Sequence, residues 1–136
     1  MANPRILVLC QRGNVRSATA ATVLRDFYMF DDVLCTGIET TTPETMKLLM
    51  EWANITLLAY GIYQYTGFSL PLNITYFRLD DVEDDVWGKH MHPELVRKVI
   101  SSLEKLVFMR RLSTRWSKET YLQLIDAKYA EGHPIA

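Results

Sequence analysis

The sequence predicts an α/β domain in which a parallel sheet is covered by helices on both faces. Three observations lead there. Short apolar runs alternate with segments of helical periodicity along the chain, the order that a parallel sheet with crossover helices requires. The first run, Arg5-Ile6-Leu7-Val8-Leu9-Cys10, is rich in branched residues and reads as a buried strand. The chain has 136 residues, of which 49% are hydrophobic, 11% aromatic and 23% charged, as expected for one domain around one core.

After that first strand, Gln11-Arg12-Gly13-Asn14 reads as a tight loop, because Gly and Asn tolerate positive φ. From Arg16 the pattern turns helical, with Ala20, Val23, Leu24 and Phe27 on one stripe, and it ends near Met29-Phe30. Asp32 to Thr36 forms a second strand stopped by Gly37. Thr42 has the character of an N-cap, with Pro43 at the first helical position of a helix running to about Ala53. Asn54 to Tyr60 is a third strand, and Ile74 to Leu79 a fourth. Between them, 61–71 is rich in turn residues, with Ile62, Tyr63 and Tyr65 spaced for a short helical turn. Five carboxylates within Asp80 to Asp85 mark a loop that continues into Val86-Trp87-Gly88. Pro93 then opens a helix with Leu95, Val96, Val99, Ile100, Leu103 and Leu106 on one stripe, and His92 reads as its cap. A last amphipathic segment covers about Lys118 to Ala130.

Composition excludes several classes. Fifteen Lys plus Arg against sixteen Asp plus Glu give a formal charge of −1, which argues against a non-specific nucleic-acid binder. No apolar run approaches the roughly 20 residues that span a bilayer, and Met1 to Arg5 lacks a signal pattern, so neither membrane insertion nor secretion is expected. Two cysteines 25 residues apart and three histidines supply neither a disulfide framework nor a zinc site. The thiols are expected to be reduced, the location cytoplasmic, and no metal or cofactor is expected.

The chemistry concentrates at the end of the first strand. Cys10 is followed by Arg16 and Ser17 in the frame Cys-x5-Arg-Ser, and the intervening loop leads straight into a helix. Backbone N–H groups of such a loop, Gln11 to Val15, together with the positive end of the helix, form a cradle for a phosphate. The same field favours a thiolate. The planar fork of Arg16 suits two phosphoryl oxygens, and Ser17 is within sequence reach of the Cys10 sulfur. A free cysteine at a strand end is more often a small core residue. Here the strand before it, Gly13 within the loop, Ser17 after Arg16 and the helix beyond favour the functional reading.

Val8-Leu9-Cys10-Gln11-Arg12-Gly13-Asn14-Val15-Arg16-Ser17 resembles the phosphate-binding loop of the low-molecular-weight protein tyrosine phosphatases. In the larger tyrosine phosphatases the acid aspartate precedes the cysteine, and only nine residues precede Cys10. In the resembling family the acid comes late, in an Asp-Pro-Tyr or Asp-Pro-Trp motif, and Asp85-Val86-Trp87-Gly88 is similar. The resemblance spans roughly residues 5 to 108 in order of elements and is specific in these two short stretches. It implies a three-layer sandwich with a four-stranded parallel sheet in the order 2-1-3-4. It also implies a cysteinyl-phosphate mechanism: Cys10 as nucleophile, Asp85 as acid and then base, Arg16 and the loop around the phosphoryl oxygens, and Trp87 as a pocket wall. Phosphorylated protein or small aryl phosphates are the implied substrates, with inhibition by phosphate or vanadate.

Departures from the family pattern are specific. Gly13 and Asn14 are displaced by one position, Arg12 is an extra base, Val15 stands where the family has a second loop cysteine, and Val86 replaces the proline of the acid motif. Asp80, Asp81 and Asp84 share the acidic stretch and stay open as alternative acids. Cys35, ending the second strand, reads as core with a lesser chance of a redox role. Two rivals also use a cysteine at this place, the first of them on the same fold. An arsenate reductase needs downstream cysteines that are missing after Cys35, and a sugar phosphotransferase subunit has no need of Arg16 or a late aspartate. A phosphate-recognising adaptor without turnover is a third alternative. Beyond about residue 112, Trp116, a Ser117 cap and the stripe Tyr121, Leu122, Leu124, Ile125 and Tyr129 predict a helical extension. That helix is expected to pack on its own domain rather than form a partner surface, leaving a monomer or weak dimer.

Overall fold

The computed structural model describes residues 4–10, 15–60, 75–78, 90–106, 109 and 112–131, with the backbone alone at Tyr60 and over 75–78. It is an α/β structure built on a parallel sheet. In chain order come β1 (Arg5–Cys10), α1 (Arg16–Asp26), β2 (Asp32–Gly37), α2 (Pro43–Trp52) and β3 (Ile55–Tyr60). They are followed by β4 (Thr75–Arg78), α3 (Pro93–Leu103) and α4 (Lys118–Ala130). β1 pairs in parallel with β2 on one edge and with β3 on the other. β1 therefore lies between β2 and β3.

Because β1 is central, both of its faces are buried, and Ile6 through Leu9 are fully inaccessible to solvent. Successive side chains of a strand point to opposite faces. Ile6, Val8 and Cys10 accordingly join a large cluster with Val23 and Leu24 of α1, Leu95 and Val99 of α3, and Tyr121 and Ile125 of α4. Leu7 and Leu9 enter a smaller cluster with Met46 of α2 and Leu58 of β3. The consecutive apolar residues of β1 thus feed two separate cores.

Local chemistry sets the helix ends. Thr42 caps α2 by accepting from the Thr45 N–H at 3.2 Å, with Pro43 at the first position. His92 caps α3, its Nδ1 accepting from the Glu94 N–H at 3.1 Å. Ser117 caps α4 through the Thr120 N–H at 3.2 Å. The helix α1 stops earlier than its apolar stripe suggests. It ends at Asp26, and Met29 takes a left-handed φ of 63° that turns the chain toward β2. Phe27, the last residue of the stripe, is buried nonetheless, and its carbonyl accepts from the Arg115 N–H at 2.9 Å.

The C-terminal helix packs on its own chain, as expected, but through a narrower stripe than the sequence suggests. Tyr121 and Ile125 are 3% and 4% exposed, whereas Leu124 and Tyr129 remain 39% and 38% exposed. The Tyr121 ring lies between Phe27, at a centroid distance of 4.8 Å, and Trp116, at 5.7 Å, nearly parallel to both. The Trp116 ring therefore closes the start of α4 as a staple. On the exposed side, Arg97 of α3 makes a paired hydrogen bond to Asp126, at 2.9 and 2.6 Å. That bond holds the Asp126 carboxyl below its usual range. Half of each side chain is in solvent, so the pair is worth at most about 0.5 kcal/mol. With the folded pKa depressed, this contribution is present above the unfolded carboxylate value of about 3.9 and fades as pH falls through the folded value.

Burial raises the Tyr121 phenol pKa, with Asp26 adding to the shift, and its Oη has no hydrogen-bond partner among the described residues. Tyr121→Phe should therefore leave stability unchanged or raise it by up to about 1 kcal/mol. Ile125→Ala should cost about 3 kcal/mol and Leu124→Ala less than about 0.5 kcal/mol, all read from urea midpoints at constant m. Equal losses at 124 and 125 would contradict this packing.

Candidate functional site

Strand order alone selects one end of the sheet. The chain leaves β1 through α1 for β2 and then crosses to β3 on the other side of β1, so the order reverses at β1. In open α/β sheets, the crevice outside the carboxyl end of the strands at such a reversal is where ligands bind. Cys10 is the last residue of β1 and stands at that end. Its thiol is 2% exposed and lies 3.1 Å from Ser17 Oγ, to which it donates. Its carbonyl accepts from the Ile38 N–H at 2.8 Å, which ties the end of β1 to the turn after β2. Arg16 and Ser17 form the first turn of α1. Val15, at the N-cap, has no side chain to close the N–H groups of that turn, leaving the positive helix end to act on its surroundings.

Of the residues singled out in the sequence, the structure thus brings Cys10, Val15, Arg16 and Ser17 together at one end of β1 and α1. Gln11, Arg12, Gly13, Asn14, Asp85 and Trp87 lie outside the described residues, as do Asp80, Asp81 and Asp84. Across the loop after β2, the Thr36 and Thr41 hydroxyls hydrogen-bond at 2.5 Å, and Thr40 donates to the Gly37 carbonyl at 3.5 Å. These bonds brace the turn that leads into α2. Among the described residues no three His, Cys, Asp or Glu side chains converge as a metal site would require.

Two features at this end are not legible from residue spacing. The first is Thr19, fully buried on α1, whose Oγ1 accepts from the Met91 N–H at 3.1 Å. Met91 is buried and holds a left-handed φ of 59°, unusual for a residue with a Cβ. The turn that follows the acidic stretch in sequence and enters α3 is thereby fastened to α1, two residues beyond Ser17. The second feature is Cys35, which is half-buried against the large cluster rather than fully enclosed. Burial is the main cause that pushes its thiol above the usual range, and nearby Cys10 adds to it. Arg25 and a hydrogen bond with Ser17 act in the opposite sense.

The chain matches no family model, no curated protein and no solved structure. Among the described residues, no helix is long and apolar enough to cross a membrane.

Thr19→Val keeps the shape of the side chain but removes the acceptor from a buried N–H. It should lower unfolding stability by about 1–3 kcal/mol. Thr45→Val, which removes only an exposed hydroxyl contact of α2, should stay within about 0.5 kcal/mol in the same urea titration.

Proposed function

We propose that the protein is a cysteine-dependent phosphomonoester hydrolase, a protein tyrosine phosphatase-like enzyme acting through a cysteinyl-phosphate. The observation that carries this reading is the Cys10 thiol at the carboxyl end of the central strand. It is hydrogen-bonded to Ser17 in the first turn of a helix that begins with Arg16. Such an arrangement supports a site where a nucleophile and a positive helix end act together, with Arg16 as the proposed bidentate cation. In the first step the Cys10 thiolate attacks phosphorus, the S–P bond forms and the P–O bond to the leaving group breaks. Asp85 gives its proton to the departing oxygen. In the second step Asp85 takes a proton from water, which attacks phosphorus and releases Cys10 with inorganic phosphate. Arg16 and the N–H groups of residues 11 to 17 stabilise the equatorial oxygens in both steps, and the Ser17 hydroxyl turns to donate to the leaving thiolate.

The same reading takes residues 1–136 as one three-layer domain with helices covering both faces of a four-stranded sheet. It places Trp87 as a wall of the substrate pocket, the enzyme in the reducing cytoplasm, and phosphorylated protein or small aryl phosphates as substrates. The loop after β2 carries no aromatic residue between Gly37 and Thr42, so selection for phosphotyrosine rests on the acidic stretch and Trp87.

Hydrolysis of p-nitrophenyl phosphate should proceed in EDTA and be blocked by vanadate. Cys10→Ser should lose all turnover while still binding phosphate, and Arg16→Lys should lose most activity, since one ammonium cannot form the planar clamp. Retained activity in Cys10→Ser would rule out the covalent mechanism. Asp85→Asn should slow phenyl phosphate far more than an activated aryl ester, because a stable leaving oxyanion needs little protonation. That leaving-group dependence appearing in Asp84→Asn or Asp81→Asn instead would move the acid to that residue.

A further inference from the structure

The parallel register sets Val8 opposite Cys35 and Cys10 opposite Gly37. Residues two apart on a strand share a face, so Cys10 and Cys35 stand on the same face of adjacent strands as diagonal neighbours. Both pack against the large cluster. The Cys10 thiol donates to the Ser17 hydroxyl at 3.1 Å, and Ser17 and Cys10 both act on the titration of Cys35. With strands about 4.8 Å apart and a rise of about 3.3 Å per residue, such diagonal neighbours have Cα atoms about 8 Å apart. A disulfide takes Cα separations up to about 7 Å. A relative shift of about 1 Å therefore brings the pair into bonding range. The strand that must move is β2, which among the described residues is paired on one edge only. Neither cysteine is disulfide-bonded in the structure.

We propose that Cys10 and Cys35 are a reversible redox pair, joined by an intramolecular disulfide when a hydroperoxide reaches the site. Cys35 is the more exposed of the two, and the steps are the same with the two sulfurs exchanged. The Cys35 thiol gives up its proton as its sulfur attacks a peroxide oxygen, so an S–O bond forms as the O–O bond breaks. The expelled hydroxide takes that proton and leaves as water, and Cys35 becomes a sulfenic acid. The Cys10 sulfur then attacks the Cys35 sulfur. An S–S bond forms, the S–O bond breaks, and the hydroxide departs as water with the proton from Cys10. In sum, two thiols lose two electrons and two protons, and one hydrogen peroxide is reduced to two waters. The cross-link depends only on where the two thiols lie. Its consequence, a nucleophile masked from irreversible oxidation, rests on the proposed function.

The test is a non-reducing peptide map of the full chain after treatment with equimolar hydrogen peroxide and alkylation of the remaining thiols. One linkage between the Cys10 and Cys35 peptides should appear, in monomeric protein, and vanish with dithiothreitol. In Cys35→Ser no linkage should form, and Cys10 should reach the sulfinic or sulfonic state several-fold faster than in the wild type. Cys35→Val, checked for folding by circular dichroism, provides the same comparison if the serine variant is unstable. Wild-type protein in which either cysteine is over-oxidised without a linkage, or in which linkages join only separate chains, would overturn the proposal. The map needs no turnover. A linkage in a protein that hydrolyses no aryl phosphate would sink the phosphatase reading alone, and hydrolysis without a linkage would sink this one alone.

Discussion

Because β1 hydrogen-bonds to β2 on one edge and to β3 on the other, neither its register nor its direction is free to vary. A slip of one residue would exchange its faces, sending Ile6 and Val8 toward α2 and Leu7 toward α1. The two-sided pairing fixes Cys10 at the carboxyl end of the sheet with its side chain on the α1 side. Every other feature of the site is placed relative to that atom. The connection between β1 and α1 must return the chain so that Ser17 meets the sulfur, and the turn after β2 must give Ile38 to the Cys10 carbonyl.

The first half of α1 is unusually polar for a helix packed on a sheet. Ser17, Thr19 and Thr22 are all buried, and each hydroxyl has a defined partner: the Cys10 thiol, the Met91 N–H and the Ala18 carbonyl. Buried hydroxyls are tolerable only when so paired. Two of the three reach outside the helix, one to the end of β1 and one to the entrance of α3. These bonds supply direction that apolar packing alone does not, and they meet within three residues at the helix end nearest Cys10.

Stability is supplied elsewhere. The stack of Phe27, Tyr121 and Trp116 lies at the far end of α1, where Arg115 also bonds the Phe27 carbonyl. The C-terminal helix thus holds the end of α1 opposite the site, with the Arg97–Asp126 pair as a solvent-exposed supplement. In this arrangement α1 is clamped at both ends, by aromatic burial at one and by hydroxyl bonds at the other.

The strands β1 to β3, the helices and their caps were legible in the sequence because they rest on local chemistry. Thr42-Pro43, His92-Pro93 and Ser117 act through hydrogen bonds to residues two or three positions on, and the apolar run of β1 marks burial on both faces. The frame from Cys10 to Ser17 was legible for the same reason, since strand, loop and helix start are contiguous. The end of α1 was misjudged because apolar spacing records which residues are buried, and Phe27 is buried after the helix has stopped. The stripe on α4 was overread because its width depends on what lies opposite, and α3 with Phe27 and Trp116 covers only Tyr121 and Ile125 fully. Tertiary structure alone decided that Cys35 stands beside Cys10 and that Met91 hangs from Thr19. Pairing register and helix docking join residues 25 and 72 positions apart, and no local pattern carries that information.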